Sequence, residues 1–64
     1  MEIGQKVRVR RLRDRSPQSV ISRLGQIGVI QGFKMVDGSS VGMIVQFEDK
    51  GATWFFEDEL EPSS

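Results

Sequence analysis

The run A-T-W-F-F-E-D-E-L, Ala52 to Leu60, decides how this chain is read. It holds the single Trp and two of the four Phe, in three consecutive positions. Aromatic side chains suit the pleated, half-buried surface of a sheet, so the run is predicted to be a strand. Successive strand residues point to opposite faces. Phe55 therefore faces one way, and Trp54 and Phe56 the other. The acidic turn Glu57-Asp58-Glu59 follows, predicted as one helical turn with Leu60 returning to the core.

Working back, Glu48-Asp49-Lys50-Gly51 separates this strand from the apolar run Val41 to Phe47. Val41, Met43, Val45 and Phe47 share one face of that run; Gly42, Ile44 and Gln46 share the other. A three-residue loop Asp49-Lys50-Gly51, with Gly51 left-handed, pairs Phe47 with Thr53, Gln46 with Trp54 and Val45 with Phe55. A four-residue loop inverts the faces. The three-residue register is preferred, because Gly in the third loop position meets that turn's demand.

Asp37-Gly38-Ser39-Ser40 precedes as a hairpin turn. Gln26 to Val36 is predicted as a strand with Ile27, Val29 and Phe33 on its core face and Ile30 opposite. Gly28 and Gly32 mark bends within it. Upstream, Ser16-Pro17 opens a short helix as N-cap and first residue. Val20, Ile21 and Leu24 share its apolar face, and Gly25 stops it. Lys6-Val7-Arg8-Val9-Arg10 alternates as a first strand, with Val7 and Val9 inward and a basic row outside. Gly4 is a turn residue. Residues 61–64 read as a frayed tail on one domain spanning 1–64. The predicted core is Val7, Val9, Ile27, Val29, Val45, Phe47, Phe55 and Leu60. The polar segment Arg11–Gly25 is predicted to be the most mobile.

Composition narrows the function. The 64 residues contain no Cys and no His. That removes disulfides, thiolate metal sites and the commonest general base. No cofactor, metal or catalytic residue is expected, and the chain is not read as an enzyme. Charge is zero overall but lopsided. Met1–Lys34 carries eight bases against Glu2 and Asp14, a net +6; Met35–Ser64 carries Lys50 against seven acids, a net −6. Such asymmetry points either to charged partners or to two halves that attract each other in the fold.

A strand, a long loop with a short helix, hairpin-linked strands and a one-turn helix give an all-β, five-stranded SH3-like barrel. Within that class, M-E-I-G-Q-K-V-R-V, R-L-R-D-R, L-G-Q-I-G, F-K-M-V-D-G-S and A-T-W-F-F-E-D-E-L resemble the subunit P (PetP) family of the cytochrome b6f complex, found in cyanobacteria and red algae. More loosely, the chain is similar to SH3-like accessory subunits of photosystem I and of the photosynthetic NDH complex. The resemblance implies a cofactor-free peripheral subunit on the cytoplasmic face of the thylakoid membrane, supporting complex stability and linear electron flow. It implies cytochrome b6f subunits as partners, with photosystem I or a soluble electron carrier as further candidates, and a monomer when isolated.

The expected partner-binding residues are Arg8, Arg10 and Arg13 as an electrostatic face, with Trp54, Phe56, Glu57 and Asp58 as an aromatic patch with an acidic rim. Two alternatives stand beside these. The arginines are solvated charge on an edge strand, and Trp54 is covered by the Arg11–Gly25 loop. A nucleic-acid-binding SH3 or KOW-like module is the other functional class. The pI of 6.2 and the lack of aromatics among the arginines argue against it, so no nucleic acid is expected.

Overall fold

The computed structural model describes residues 1–12, 18–36, 38 and 40–63. Five strands form one antiparallel sheet: β1 (Lys6–Val9), β2 (Ile27–Val36), β3 (Ser40–Phe47), β4 (Ala52–Phe56) and β5 (Leu60–Pro62). A four-residue helix α1 (Gln18–Ile21) lies between β1 and β2. A 3₁₀ turn η1 (Glu57–Glu59) lies between β4 and β5.

The strand order is β4-β3-β2-β1-β5. The two edge strands are thus consecutive in sequence, joined only by three residues of 3₁₀ turn. Flat strands about 4.8 Å apart would hold those edges about 19 Å from each other. Three 3₁₀ residues rise only about 6 Å. The sheet must therefore curl until its edges meet, and this is the barrel.

Val7, Val9, Val45, Phe47, Phe55 and Leu60 fill it as expected, each at most 5% exposed. They are joined by Val20, Ile30 and Met43. The expectation for β2 is corrected. Ile27 is 49% exposed and Val29 half-buried, while Ile30 is fully buried. Gly28 takes the inward position, because a Cβ there would lie 2.6 Å from Val45 Cγ1 and 2.7 Å from the Gln46 carbonyl oxygen. The inward row is thus the less apolar one. An irregularity between Ile30 and Gly32 then resets the alternation. Phe33 pairs with buried Met43 yet remains 46% exposed.

The β3–β4 register is corrected by two residues. Gln46 pairs with Ala52, Val45 with Thr53, Ile44 with Trp54, and Met43 with Phe55. The loop has three residues, but they are Glu48, Asp49 and Lys50. Phe47 N–H donates to the Gly51 oxygen at 2.8 Å, and Lys50 N–H to the Phe47 oxygen at 2.9 Å. Lys50, not Gly51, is left-handed, at φ 70°. A two-residue slip preserves the faces, so Phe55 stays inside. An L-residue in this conformation costs about 1–2 kcal/mol, against about 0.5–1 for the extra freedom of Gly when unfolded. Lys50→Gly is therefore expected to raise stability by up to about 1 kcal/mol, read by urea denaturation. A lower midpoint would contradict this account of the turn.

The supposed tail is corrected as well. Glu61 and Pro62 belong to β5, pairing with Arg8 and Val7, and Ser63 N–H donates to the Lys6 oxygen at 2.9 Å. Pro suits this edge position because it lacks an N–H to donate. The helix α1 is one turn rather than two, with only Val20 of its apolar trio buried; Ile21 and Leu24 are exposed. Gly25, at φ 86°, ends the following turn. Gly25 N–H donates to the Val9 oxygen, and Val9 N–H to the Gln26 oxygen, tying the loop's exit to β1. The expected cap Ser16-Pro17 and the turn residues Asp37 and Ser39 lie outside the described residues.

Candidate functional site

The alternation of β1 puts Lys6 and Arg8 on the outer face of the sheet, because Val7 and Val9 are drawn inside. Arg8 lies opposite Ile27 on one side and Glu61 on the other. Its Nε donates to Glu61 Oε2 at 2.7 Å. Beyond the strand, Arg10 and Arg11 turn to η1, where their Nε atoms donate to the Asp58 carbonyl oxygen at 3.1 and 3.2 Å. Arg11 also faces the Asp58 carboxylate at 3.4 Å. Arg13 lies outside the described residues.

At the other end of the barrel, Arg23 bridges to the β3–β4 hairpin. Its Nη1 donates to Asp49 Oδ2 at 3.0 Å, and its guanidinium carbon sits 4.5 Å from the centre of the Phe47 ring. Among the described residues, each ion pair joins a base of the first half to an acid of the second. Arg8, Arg11 and Arg23 are thus folded onto acids of the second half, the kind of pairing the second of the two sequence alternatives expects. Such exposed pairs contribute little each, about 0–1 kcal/mol. They orient the segments they join more than they stabilise them.

Asp49 titrates below its ordinary value of 3.8, held there first by the Gly51 backbone N–H and then by Arg23. A lowered folded value means that this stabilisation is present above the unfolded value and is lost as pH falls through the folded one. The melting temperature of Asp49→Asn is therefore expected to fall below wild type near pH 6–7, with the gap closing below about pH 3.9. A gap that stays constant with pH would show that Asp49 acts through something other than its charge.

Trp54 and Phe56 stand on the outer face of β4, opposite Ile44 and Gly42. Both are half-buried. Their rings meet edge to face, with centroids 5.0 Å apart and planes at 86°. The Trp54 ring lies directly over Gly42, its Cε3 2.8 Å from where a Cβ would be. Any side chain at 42 would lift the indole.

The acidic turn does not form a uniform rim. Glu57 is exposed, Asp58 is half-buried, and Glu59 is fully buried. Glu59 Oε1 accepts the Phe56 N–H at 2.8 Å. This is half of a capping box, with the carboxylate at the third helical position reaching back to the cap backbone. A Phe at the cap position hides it in the sequence, because the capping-box signature calls for Ser or Thr there. Arg23 and Glu61 had no signal either, since their partners are distant in sequence.

The structure thus brings Arg10 to Asp58, Arg8 to Glu61, and Trp54 to Phe56. No group of three or more acidic residues among the described residues is placed to hold a metal. No helix among them is long and apolar enough to cross a membrane.

The family model described as "Cytochrome b6f, subunit Tsr0524-like" matches residues 3–61. The chain is 40% identical over 60 residues to the uncharacterized protein ORF65 of Porphyra purpurea, covering 94% of this chain and 92% of that one. It is similar to the solution structure of the cyanobacterial cytochrome b6f complex subunit PetP. The identity there is 61% and the TM-score 0.92, over 100% of this chain and 81% of that one.

Proposed function

From the premise that the chain belongs to the Tsr0524-like family of cytochrome b6f subunits, we propose that it is a non-catalytic peripheral subunit of that complex. It docks at the cytoplasmic face of the thylakoid membrane and supports the stability of the complex or its supercomplexes, and with it linear electron transport. The observation that carries this is the extent of the family match. Residues 3–61 run from the turn before β1 into β5, so the whole barrel is the family's unit.

Docking uses the outward Arg8 and Arg10, with Arg13 as the sequence expects, and the aromatic pair Trp54 and Phe56 beside Glu57 and Asp58. Arg8 and Arg11 support it by keeping more than half of their side-chain surface exposed while paired, at 53% and 61%. Charges so placed steer encounter more than they set final affinity.

The test is retention of the cytochrome b6f complex from solubilised thylakoids on the immobilised protein, across a salt series. Arg8→Glu/Arg10→Glu is expected to slow association by about tenfold at low salt and less at high salt. Loss of the Arg8–Glu61 and Arg10–Asp58 contacts should cost the variant about 2 kcal/mol of stability or less, which its melting curve checks. Equal association rates at every salt concentration would remove the basic row from the interface. Failure of the wild-type protein to retain the complex would overturn the docking function itself.

A further inference from the structure

The correction to β2 leaves two β-branched apolar side chains, Ile27 and Val29, outside the core. Both line an open trough of about 710 Å³ that reaches in to Gly28 and Phe47. Lys6 from β1 and Lys50 from the β3–β4 hairpin both line it, with Gln31 and Gln46. Register explains the gathering. Lys6 lies opposite Val29, and Val29 opposite Gln46, so the three share one outward row. Arg8, opposite Ile27, continues the basic edge of the trough.

The charge of the trough is distinctive. Arg8, Arg11 and Arg23 are engaged with carboxylates of this chain. Lys6 and Lys50 form no ion pair among the described residues. One carboxylate, Glu48, lies on the same rim, so two cations stand against one anion there, in a protein whose net charge is zero. Gln31 and Gln46 bring amides that can both donate and accept, as a peptide backbone requires.

We infer that this trough binds an extended acidic and apolar segment of a protein partner. Apolar side chains of the segment rest on Ile27 and Val29. Its carboxylates meet Lys6 and Lys50, and its backbone amides meet Gln31 and Gln46. Concavity favours such a segment over a lipid surface, since a bilayer is too flat to reach into the trough between the two lysines. The inference rests on the docking function proposed above and narrows where on the outer face the partner sits.

Two experiments test it separately from that function. In the first, ¹⁵N resonances of the isolated protein are followed while adding a capped hexapeptide alternating leucine and glutamate, with a leucine and lysine peptide as control. Shifts confined to the trough lining, Lys6, Ile27, Val29, Gln31, Gln46 and Lys50 with their immediate neighbours, seen with the acidic peptide alone, are expected. Shifts elsewhere, none at all, or equal shifts with both peptides would overturn the inference. So would co-sedimentation with vesicles of 30% phosphatidylglycerol in phosphatidylcholine, lost in Lys6→Glu/Lys50→Glu, without any response to the peptide. In the second, retention of the cytochrome b6f complex is compared for wild type, Ile27→Asp and Lys6→Glu/Lys50→Glu. All three positions are surface positions, so the variants should fold, which their melting curves check. A loss of about tenfold in both variants supports the trough. Unchanged retention in both overturns it while leaving the docking function standing. A wild-type protein that retains nothing overturns the docking function, and the peptide titration then decides the trough alone.

Discussion

Phe55→Ala is expected to lose about 3–5 kcal/mol of stability, the usual cost of truncating a fully buried Phe. Phe55 is the largest side chain in the barrel with no exposed surface. It sits opposite Met43 and meets the Phe47 ring edge to face, with centroids 6.0 Å apart. Replacing it removes the apolar area and leaves a cavity among the remaining core side chains. At about 0.05–0.15 kcal/mol per residue, a chain of this length has only about 3–10 kcal/mol in total. The variant is therefore expected to be largely unfolded at 25 °C or to melt far below wild type. Because an unfolded variant gives no midpoint, Phe55→Leu should be measured beside it; a smaller cavity predicts a smaller loss, still readable by urea denaturation. If the alanine variant kept the wild-type midpoint, Phe55 would not be the centre of the core.

Phe55 was legible because the faces of a strand alternate regardless of which residues it pairs with. The β3–β4 pairing lies two positions from the one the loop suggests, yet Phe55 is inward and Trp54 outward all the same. Parity is a local property of sequence, and a slip of two does not alter it. The turn residue was not legible in the same way. Gly51 looked like the left-handed position, but Lys50 takes it, while the Asp49 carboxylate accepts the Gly51 N–H at 2.9 Å. The β2 strand failed for a different reason. Its more apolar row faces out, and its core row contains Gly28, whose missing side chain lets the strand approach Val45 and Phe47. An apolar count cannot see a position where the core is filled by the partner strand. The charge pairs were likewise invisible, because Arg8 and Glu61 are neighbours only once the barrel has closed. As for the site, the outward row of β1 could be read from alternation alone. The Ile27–Val29 trough could not, since it exists only because β2 turned the other way.

Glu59→Ala is expected to be the second most damaging change, at about 2–4 kcal/mol. A run of three acids reads as a solvated turn, and for Glu57 it is one. Glu59, however, has no exposed surface, and a carboxylate is rarely buried without partners. One of its bonds is the 2.8 Å contact from the Phe56 N–H, which ties the end of β4 to the turn that carries the chain across to β5. Its backbone oxygen accepts the Arg10 N–H at 2.9 Å, tying the same turn to the end of β1. The alanine variant keeps that backbone bond. It loses the side-chain acceptor, strands a backbone donor, and opens space next to Leu60. A hydrogen bond to a carboxylate is worth about 1.5–3 kcal/mol, and the lost packing adds to it. The effect should fall on the seam where the two sheet edges meet. Amide exchange at Phe56 and Leu60 should therefore accelerate more than at Ile30 or Val45, over and above the global loss. Glu59→Gln separates the two contributions, since its amide oxygen can still accept from Phe56 and its volume is nearly unchanged. It is expected to retain more than half of the lost stability. If glutamine proves as damaging as alanine, the carboxylate's charge rather than its shape and single acceptor holds the seam. If alanine leaves both stability and exchange unchanged, η1 closes the barrel without Glu59.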